Sequence, residues 1–210
     1  MDELTPDSAQ TRRLLERIEA GDRGAIEQLL AEHRPDLHQF VVLRLGTRLR
    51  ARVDPSDVVQ ETQLEVFRRL ADFLRRQPMP FHLWLRRTAY QQLLTLRRRH
   101  AVAGQRAIGR EVALPERSSL ALARQLLAAG STPSDQLSRR EQIRRVQSAL
   151  GQLPDGDREV LVMRTFEGLS YREIGCLLDI EPAAARKRHG RALIRLHQLL
   201  GDGGPKEEKP

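Results

Sequence analysis

The stretch that decides the fold is residues 168–182, which read GLSYREIGCLLDIEP. Ser170 and Glu173 have the spacing of a capping box, in which each side chain accepts a hydrogen bond from the other residue's backbone N–H at the start of a helix. Apolar residues then recur three and four apart, and a second helix can begin at Pro182 because the first helical position needs no N–H. We therefore predict two helices joined by a tight turn, a helix-turn-helix.

The helix predicted from Pro182 to about Leu200 has an apolar side and a basic side. The inward side is expected to carry Ala185, His189, Ala192, Leu193 and Leu196. A basic helix can enter the major groove of duplex DNA, where arginine binds guanine edges and phosphates. The candidates for such contacts are Arg186, Lys187, Arg188 and Arg191. For any one of them a salt bridge or simple solvation is the alternative, and a helix pair can also be a protein-interaction module.

The helix-turn-helix is predicted to close a larger C-terminal domain, residues 139–200. A helix that begins near Ile143 ends before Pro154, and Asp155 or Asp157 can cap the helix that follows. Glycine, proline and serine are frequent in residues 101–138, which predicts a flexible linker with one short helix at 119–128. The tail, residues 201–210, is expected to be disordered.

The N-terminal domain, residues 10–100, also has helical periodicity. Glycine and proline separate five predicted helices, near residues 14–18, 26–30, 37–45, 56–75 and 81–100. The predicted fold class is therefore all-α, with two small helical domains joined by a flexible linker and the helix-turn-helix in the second.

Composition narrows the classes of function. The 36 Lys and Arg residues outnumber the 28 Asp and Glu residues, a formal charge of +8 that favours a polyanionic partner. The single cysteine, Cys176, excludes an internal disulfide, and no Cys/His cluster has zinc-ligand spacing. No apolar run approaches the length that crosses a bilayer, and the N-terminus has no apolar signal core. We expect a cytoplasmic protein with no metal, no cofactor and no membrane partner.

The helix predicted at 56–75 has two distinct faces. The expected core stripe is Val58, Val59, Thr62, Val66, Phe67 and Leu70. Another side carries Asp57, Gln60, Glu61, Leu64 and Arg68. A stripe that mixes charged, polar and apolar side chains is typical of a protein-binding surface. A favourable helix dipole for Asp57 and ordinary exposure for Leu64 are the alternatives.

The helix predicted at 81–100 should place Phe81, Trp84, Leu85, Thr88, Ala89, Leu93 and Leu96 inward. Its opposite face would carry Arg86, Arg87, Tyr90, Gln91, Arg97 and Arg98. Arginine with an interleaved aromatic ring suits single-stranded nucleic acid, although a solvated charged face is the alternative. For Trp84, packing and base contact are both open. The basic loop expected at Asp72–Pro80 can hold an unstacked base.

In order and separation, these motifs resemble the sigma factors of the extracytoplasmic-function (ECF) group of the sigma-70 superfamily. The resemblance rests on DVVQET at 57–62, FHLWLRRTA at 81–89, LPDGDREV at 153–160 and FEGLSYREI at 166–174. The sequence departs from the family pattern at Gln91, Thr95, His189 and Gly190. The segment at 101–138 is not acidic, and it contains Arg106, Arg110, Arg117 and Arg124.

The resemblance implies a factor that directs RNA polymerase core to specific promoters and promotes strand opening. It implies that the clamp helices of the largest polymerase subunit bind Asp57, Gln60, Glu61 and Leu64. The downstream promoter element would be read and melted by Arg75, Arg76, Gln77, Trp84, Arg87, Tyr90, Gln91, Arg97 and Arg98. The helix from Pro182 would read the upstream element while its domain rests on the polymerase flap. An anti-sigma regulator is a further partner that the resemblance allows, although no residue marks its site.

Three alternatives remain at this point. A helix-turn-helix regulator that does not bind core polymerase would use only the C-terminal domain and would not need the motifs at 57–62 and 81–89. A paralogue that binds polymerase without melting DNA is compatible with Gln91 and Thr95. An enzyme is disfavoured, because the sequence has no nucleophile elbow, phosphate loop, metal cluster or carboxylate pair on a pocket-like framework.

Overall fold

The computed structural model describes residues 4–45, 51–104 and 136–201, and every regular element in these ranges is a helix. The first half contains α1 (Ala9–Glu19), α2 (Gly24–Arg44), α3 (Pro55–Arg76) and α4 (Phe81–Gly104). The second half contains α5 (Gln136–Gln152), α6 (Asp155–Leu161), a π-helical turn (Val162–Phe166), α7 (Tyr171–Leu178) and α8 (Pro182–Gly201). The all-α class is confirmed. The expected linker helix at 119–128 and the tail after Gly201 lie outside the described residues.

The two helices predicted at 26–30 and 37–45 are one helix, α2, which contains Pro35. A proline inside a helix leaves one carbonyl without its hydrogen bond and usually kinks or ends the helix. Pro35 lies on the exposed side of α2, where water can bind that carbonyl. The prediction of a break between these two segments is therefore wrong.

α3 begins and ends where its sequence favours a boundary. Asp54 accepts a hydrogen bond from the backbone N–H of Ser56 at 2.7 Å, and Pro55 occupies the first turn. The helix continues to Arg76, and Gln77 ends it with a left-handed φ of 36°. The loop before α4 is therefore Gln77–Pro80, shorter than the predicted loop, whose first residues are helical.

Phe67 was expected in the core, but its side chain is 60% exposed. On the buried side of α3, the exposed fraction is only 0–4% for Val59, Val66 and Phe73. Phe67 is seven residues after Gln60 and three after Leu64, so the helical period places it on their exposed side. Leu193 on α8 is likewise 41% exposed and not inward as expected.

The predicted helix-turn-helix is present. In α7 the backbone N–H of Ser170 donates to Glu173 Oε2 at 2.7 Å, and the backbone N–H of Glu173 donates to Ser170 Oγ at 3.2 Å, so the capping box is confirmed. Asp179 ends α7 with a left-handed φ of 56°. A Cβ at Gly175 would lie 2.6 Å from the carbonyl oxygen of Ile180, so the turn requires a glycine there.

The cap predicted for α6 is wrong. Pro154 occupies the N-cap position without a side-chain cap, and Asp155 and Asp157 lie in the first turn, where their charge favours the helix dipole. The Asp157 carboxylate instead accepts hydrogen bonds from Arg191, at 3.4 Å, and from Arg195. These contacts tie α6 to α8.

The two halves of the chain pack against each other. α4 lies against α7, and one continuous apolar core joins the N-terminal helices to Val160, Met163, Ile174 and Leu177 of the C-terminal domain. A second, smaller core lies within the C-terminal domain and includes Leu150, Leu161 and Leu196. Within the described ranges, no helix combines the length and the apolarity that crossing a bilayer requires.

Candidate nucleic-acid interface

The residues predicted to bind polymerase lie together on the outer side of α3. Asp57, Gln60, Glu61 and Leu64 are all exposed, and Leu64 is exposed over 56% of its surface. Phe67 extends this side by one turn, which the sequence reasoning missed because it placed Phe67 in the core. The result is an exposed stripe in which acidic and amide groups adjoin two large apolar side chains. Such a surface can bind a protein through both charge and apolar burial.

The outer face of α4 carries some side chains that are exposed and others that are bound within the chain. Gln91 and Arg98 are exposed, as predicted. Arg87 donates to the carboxylate of Asp179 at 2.8 Å, and the Arg97 side chain is only 15% exposed. Arg97 donates to the carbonyl of Arg44 at 2.9 Å. Two of the basic groups on this face are therefore already bound within the chain.

Tyr90 lies between these arginines on α4 and is half-buried. Burial and the nearby carboxylate of Glu159 raise the pKa of Tyr90 to about 12, so its hydroxyl keeps its proton. Trp84 is 7% exposed and stacks on Phe73, with ring centroids 4.5 Å apart. Of the two roles that the sequence left open for Trp84, the structure shows packing, and its contact with a base stays a prediction. Three further predicted contact residues are exposed at the end of α3: Arg75, Arg76 and Gln77.

The basic face of α8 points away from the core. Arg186, Lys187 and Arg191 are exposed, while Arg188 is half-buried beside Gly156 of α6. Arg191 also pairs with Asp157, which fixes one side of its guanidinium and leaves the side chain 53% exposed. The start of this helix thus presents several exposed cations on its outer side, an arrangement that suits phosphate and base-edge contacts.

Tyr171 is an unpredicted support for this face. Its hydroxyl lies 3.0 Å from His189 Nδ1, and the Arg186 guanidinium lies 5.2 Å from the centre of its ring. Arg164 lies 4.9 Å from the same ring. Burial and the nearby Arg164 lower the pKa of His189, so this imidazole is neutral at physiological pH. In the sequence, only the position of Tyr171 in the first turn of the predicted helix could have indicated this role.

The described residues offer little for other chemistry. They contain no cluster of three His, Cys, Asp or Glu side chains that could hold a metal ion. Cys176 is half-buried, and burial raises the pKa of its thiol, which makes it less reactive.

Comparison with known proteins matches both domains. Residues 29–102 match the family model for sigma-70 region 2, and residues 143–196 match the model for sigma-70 region 4. The RNA polymerase sigma factor CnrH of Cupriavidus metallidurans is 32% identical over 197 residues, covering 94% of this chain and 97% of the relative. The RNA polymerase sigma factor CarQ of Myxococcus xanthus is 31% identical, covering 90% and 96%.

A similar solved structure is that of CnrH in complex with the cytosolic domain of CnrY. It has a TM-score of 0.56 and 27% identity, and the match covers 93% of this chain and 99% of the other. The sigma factor RpoE of Bartonella quintana, solved with the anti-sigma factor NepR, shares the fold at a TM-score of 0.53 and 18% identity.

Proposed function

The chain belongs to the ECF group of sigma-70 RNA polymerase sigma factors, and from that premise we propose how its surfaces divide the work of initiation. It is a transcription initiation factor rather than a catalyst. α3 binds the core enzyme, α4 and the end of α3 bind the downstream promoter element, and α8 binds the upstream element. We also propose that it acts in the cytoplasm, where RNA polymerase is found.

Polymerase binding is assigned to the stripe of Asp57, Gln60, Glu61 and Leu64 on α3. Its support is that all four side chains are exposed on one side, and that the carboxylates adjoin an apolar pair, Leu64 and Phe67. The charged groups give orientation and a fast encounter with a basic partner, and the apolar pair supplies buried area. The clamp helices of the largest polymerase subunit are the proposed partner.

Duplex recognition is assigned to the exposed start of α8. Arg186, Lys187 and Arg191 are placed on a helix whose opposite side is anchored by Ala185 and Ala192, both 0% exposed. Ala185 packs into the core that includes α7, and Ala192 packs into the second core with α5 and α6. These small buried residues hold the exposed cations of α8 on a packed base. Base contacts of this kind discriminate by roughly 1–3 kcal/mol each.

Strand opening is assigned to α4 and to the last turn of α3. Arg98 and Gln91 on α4, and Arg75, Arg76 and Gln77 on α3, are exposed on the N-terminal domain. Arginine follows the phosphates of a single strand, and the energy lost in unstacking bases is offset by binding the displaced strand. No covalent chemistry is required of the protein.

The observation that carries the proposal is that one chain has both an exposed mixed stripe on α3 and an exposed basic face on a helix-turn-helix. A regulator that acts only through its C-terminal domain does not need the first of these. The test is transcription in vitro with purified core polymerase on genomic DNA fragments. We expect transcripts that start at defined sites only when this protein is added. Core binding without any initiation would overturn the proposal.

An anti-sigma regulator is a further proposed partner. CnrH, which is similar over nearly the whole chain, has been solved in complex with the cytosolic domain of CnrY. The sigma factor RpoE has been solved with the anti-sigma factor NepR. A regulator of that kind would compete with polymerase for this protein.

A further inference from the structure

The loop Gln77–Pro80 joins α3 to α4, the two helices to which the proposed function assigns strand opening. Its first residue, Gln77, has a left-handed φ of 36°, a conformation that is uncommon outside glycine. Prolines stand at positions 78 and 80, and a proline has no N–H to donate. Such a loop provides few hydrogen bonds of its own, so its conformation depends on contacts with other parts of the fold.

The first turn of α4 is not capped by its own N-cap residue. That residue is Pro80, whose ring offers no acceptor, although its carbonyl accepts from the backbone N–H of Trp84 at 3.1 Å. The backbone N–H groups of Phe81 and His82 have no acceptor within the helix. Both donate to the carboxylate of Asp7, at 2.6 Å and 3.0 Å. A residue 74 positions earlier thus takes the role that an N-cap side chain usually has.

The Asp7 carboxylate is charged and fixed in place. Its side chain is only 10% exposed, and His82 Nδ1 lies 2.8 Å from Asp7 Oδ1. Burial opposes the charge, but hydrogen bonds from the His82 side chain and from the backbone N–H groups of His82 and Phe81 outweigh it and lower the pKa of Asp7. The next residue, Ser8, is the N-cap of α1 and accepts from the backbone N–H of Thr11 at 3.0 Å. Asp7 is therefore held at the start of α1.

The other end of the loop is bound to the other end of α1. Glu19, the last residue of this helix, accepts from Gln77 Nε2 at 3.2 Å. α1 packs against α2 and buries Leu14 in the larger apolar core. The loop is thus bound at its first residue and at the two residues that follow it, and both contacts come from a helix that is anchored in the core.

We propose that Asp7 and Glu19 are positioning residues for strand opening, which together hold the loop Gln77–Pro80 and the first turn of α4 in the conformation that binds unpaired promoter bases. This assignment rests on the proposed function, because that function places DNA on the last turn of α3 and on α4, on either side of the loop. Neither carboxylate needs to contact DNA. A loop that already has its bound conformation loses less entropy when it binds a base, so loosening it slows opening and leaves recognition of the duplex unchanged.

The test measures duplex binding and strand opening separately. Holoenzyme is assembled from core polymerase and the full-length protein, on a promoter that the parent uses in the transcription assay. The lag before abortive products appear is measured at several holoenzyme concentrations. It yields the affinity of the initial duplex complex and the rate constant of opening as two independent values. Permanganate reactivity of unpaired thymines reports the opening directly.

Asp7→Ala should lower the rate constant of opening about fivefold, the factor that corresponds to a typical helix cap, with initial affinity unchanged. Asp7→Asn loses the same charge but keeps an acceptor oxygen, so it should retain most of the rate. Asp54→Ala is the matched control, since it removes an aspartate cap at the end of α3 that is far from the loop. It should open promoters at the parent's rate. Equal opening rates in Asp7→Ala and Asp54→Ala, or a loss of initial affinity alone, would overturn the inference.

Glu19 covers the case in which Asp7→Ala does not fold, which its far-ultraviolet circular dichroism would reveal. Glu19 is exposed, so replacing it leaves the core intact. Glu19→Ala and Glu19→Gln lose the same charge, but only glutamine keeps an acceptor for Gln77. Opening should be about twofold slower in Glu19→Ala than in Glu19→Gln, the effect of one exposed hydrogen bond. Equal rates in this pair would overturn the inference.

Failure of the proposed function would have a different result. If holoenzyme with the parent protein makes no transcript at any site, the loop has no promoter DNA to bind, and the proposed function fails together with the positioning role. If the parent opens promoters and the variants open them equally fast, the proposed function stands and only the positioning role is refuted.

Discussion

Arg44 and Glu159 are 115 residues apart in the sequence, yet the guanidinium Nε and the carboxylate Oε2 lie 3.1 Å apart in the interior. The Arg44 guanidinium also lies 3.7 Å from the centre of the Phe40 ring, and Glu167 accepts from it at 2.6 Å. Burial opposes the charge of Arg44, but Glu167 and Glu159 more than offset this and raise its pKa. One side chain at the end of α2 therefore bridges two acids of the other domain.

Replacing Arg44 should uncouple the domains. Arg44→Met keeps much of the length and apolar volume, but it leaves Glu167 without its cation and Glu159 with Arg97 alone. The packed arrangement of the two domains should lose about 3–5 kcal/mol of stability, the usual effect of removing one partner from a buried ion pair. In scanning calorimetry we expect the variant to unfold in two transitions at lower temperature, where the parent unfolds in one.

The control for this prediction is Arg12→Met, an exposed position on α1, which should leave the transition unchanged. Adding Glu159→Gln and Glu167→Gln to Arg44→Met should restore part of the loss, because the buried negative charges are then gone. A single unshifted transition in Arg44→Met would contradict the assigned role.

Two glycines of the C-terminal domain should respond in opposite directions to alanine. At Gly175 a Cβ would lie 2.6 Å from the Ile180 carbonyl oxygen, so Gly175→Ala must distort the turn before α8, at a loss of about 1–3 kcal/mol. At Gly190, inside α8, a Cβ would meet nothing within 4 Å. Gly190→Ala should therefore gain about 0.5–1 kcal/mol from helix propensity. Urea unfolding of both variants tests the pair, and a stable Gly175→Ala would show that the turn can relax.

Local signals in the sequence predicted the helices well. The capping box at Ser170 depends on two residues that are three apart, so its consequence is visible without the fold. Pro35 and Phe67 were misread for a related reason. Whether a proline is tolerated, or an aromatic side chain is exposed, depends on which side of the helix meets water, and that is decided by tertiary packing.

The interdomain contacts could not be predicted from the sequence. Arg44 stands in an apolar run, which marks it as unusual, but periodicity says nothing about a partner such as Glu159 far along the chain. The same holds for Asp7, which lies before α1 and whose carboxylate accepts a hydrogen bond from the backbone N–H of Phe81 at the start of α4. Charge and spacing in the sequence were enough to identify the candidate DNA-binding residues. The pairing of Arg87 with Asp179 and of Arg97 with Glu159 depends on tertiary packing and could not be predicted.

Removing the acidic groups of the α3 stripe should weaken binding to core polymerase. Asp57→Ala with Glu61→Ala should raise the dissociation constant about tenfold, since each exposed ion pair contributes a few-fold. Fluorescence polarisation with purified core enzyme measures this effect. Glu16→Ala with Glu32→Ala removes the same charge from exposed sites on α1 and α2 and should bind as the parent does. Equal affinity of the parent and both double variants would show that polymerase does not bind Asp57 and Glu61.

The stability of the protein should depend on pH through His33. Its Nε2 lies 3.1 Å from Thr11 Oγ1, and its ring centre lies 5.2 Å from that of Phe81. Burial lowers the pKa of His33, although the nearby Glu32, Asp7 and Asp36 carboxylates act the other way.

Because the folded pKa is below the unfolded one, the unfolded state takes up the proton first. Unfolding free energy should therefore fall as pH drops below about 6.5, the ordinary pKa of histidine. An NMR titration should place the midpoint of His33 below 6.5, and His33→Gln should flatten the loss of stability between neutral and mildly acidic pH. A midpoint above the ordinary value would reverse the sign and refute the prediction.

Tyr171 should position the recognition helix without needing to touch DNA. The guanidinium groups of Arg164 and Arg186 lie 4.9 Å and 5.2 Å from the centre of its ring, and its hydroxyl lies 3.0 Å from His189 Nδ1. A cation over an aromatic ring gains about 0.5–1 kcal/mol at an exposed site. Tyr171→Phe keeps the ring and should change promoter affinity little. Tyr171→Ala frees Arg186 and should lower affinity for the upstream element several-fold.

The Arg186→Ala background shows whether Tyr171 positions Arg186 or only stabilises the fold. If Tyr171 acts through Arg186, Tyr171→Ala should weaken duplex binding less in an Arg186→Ala background than in the parent, a coupling that a double-mutant cycle measures. Arg191→Ala, whose guanidinium is held by Asp157 and not by Tyr171, is the matched background in which the effect of Tyr171→Ala should be undiminished. Additive effects with Arg186→Ala would mean that Tyr171 only stabilises the fold, since a residue that orients one particular arginine must lose its influence when that arginine is gone.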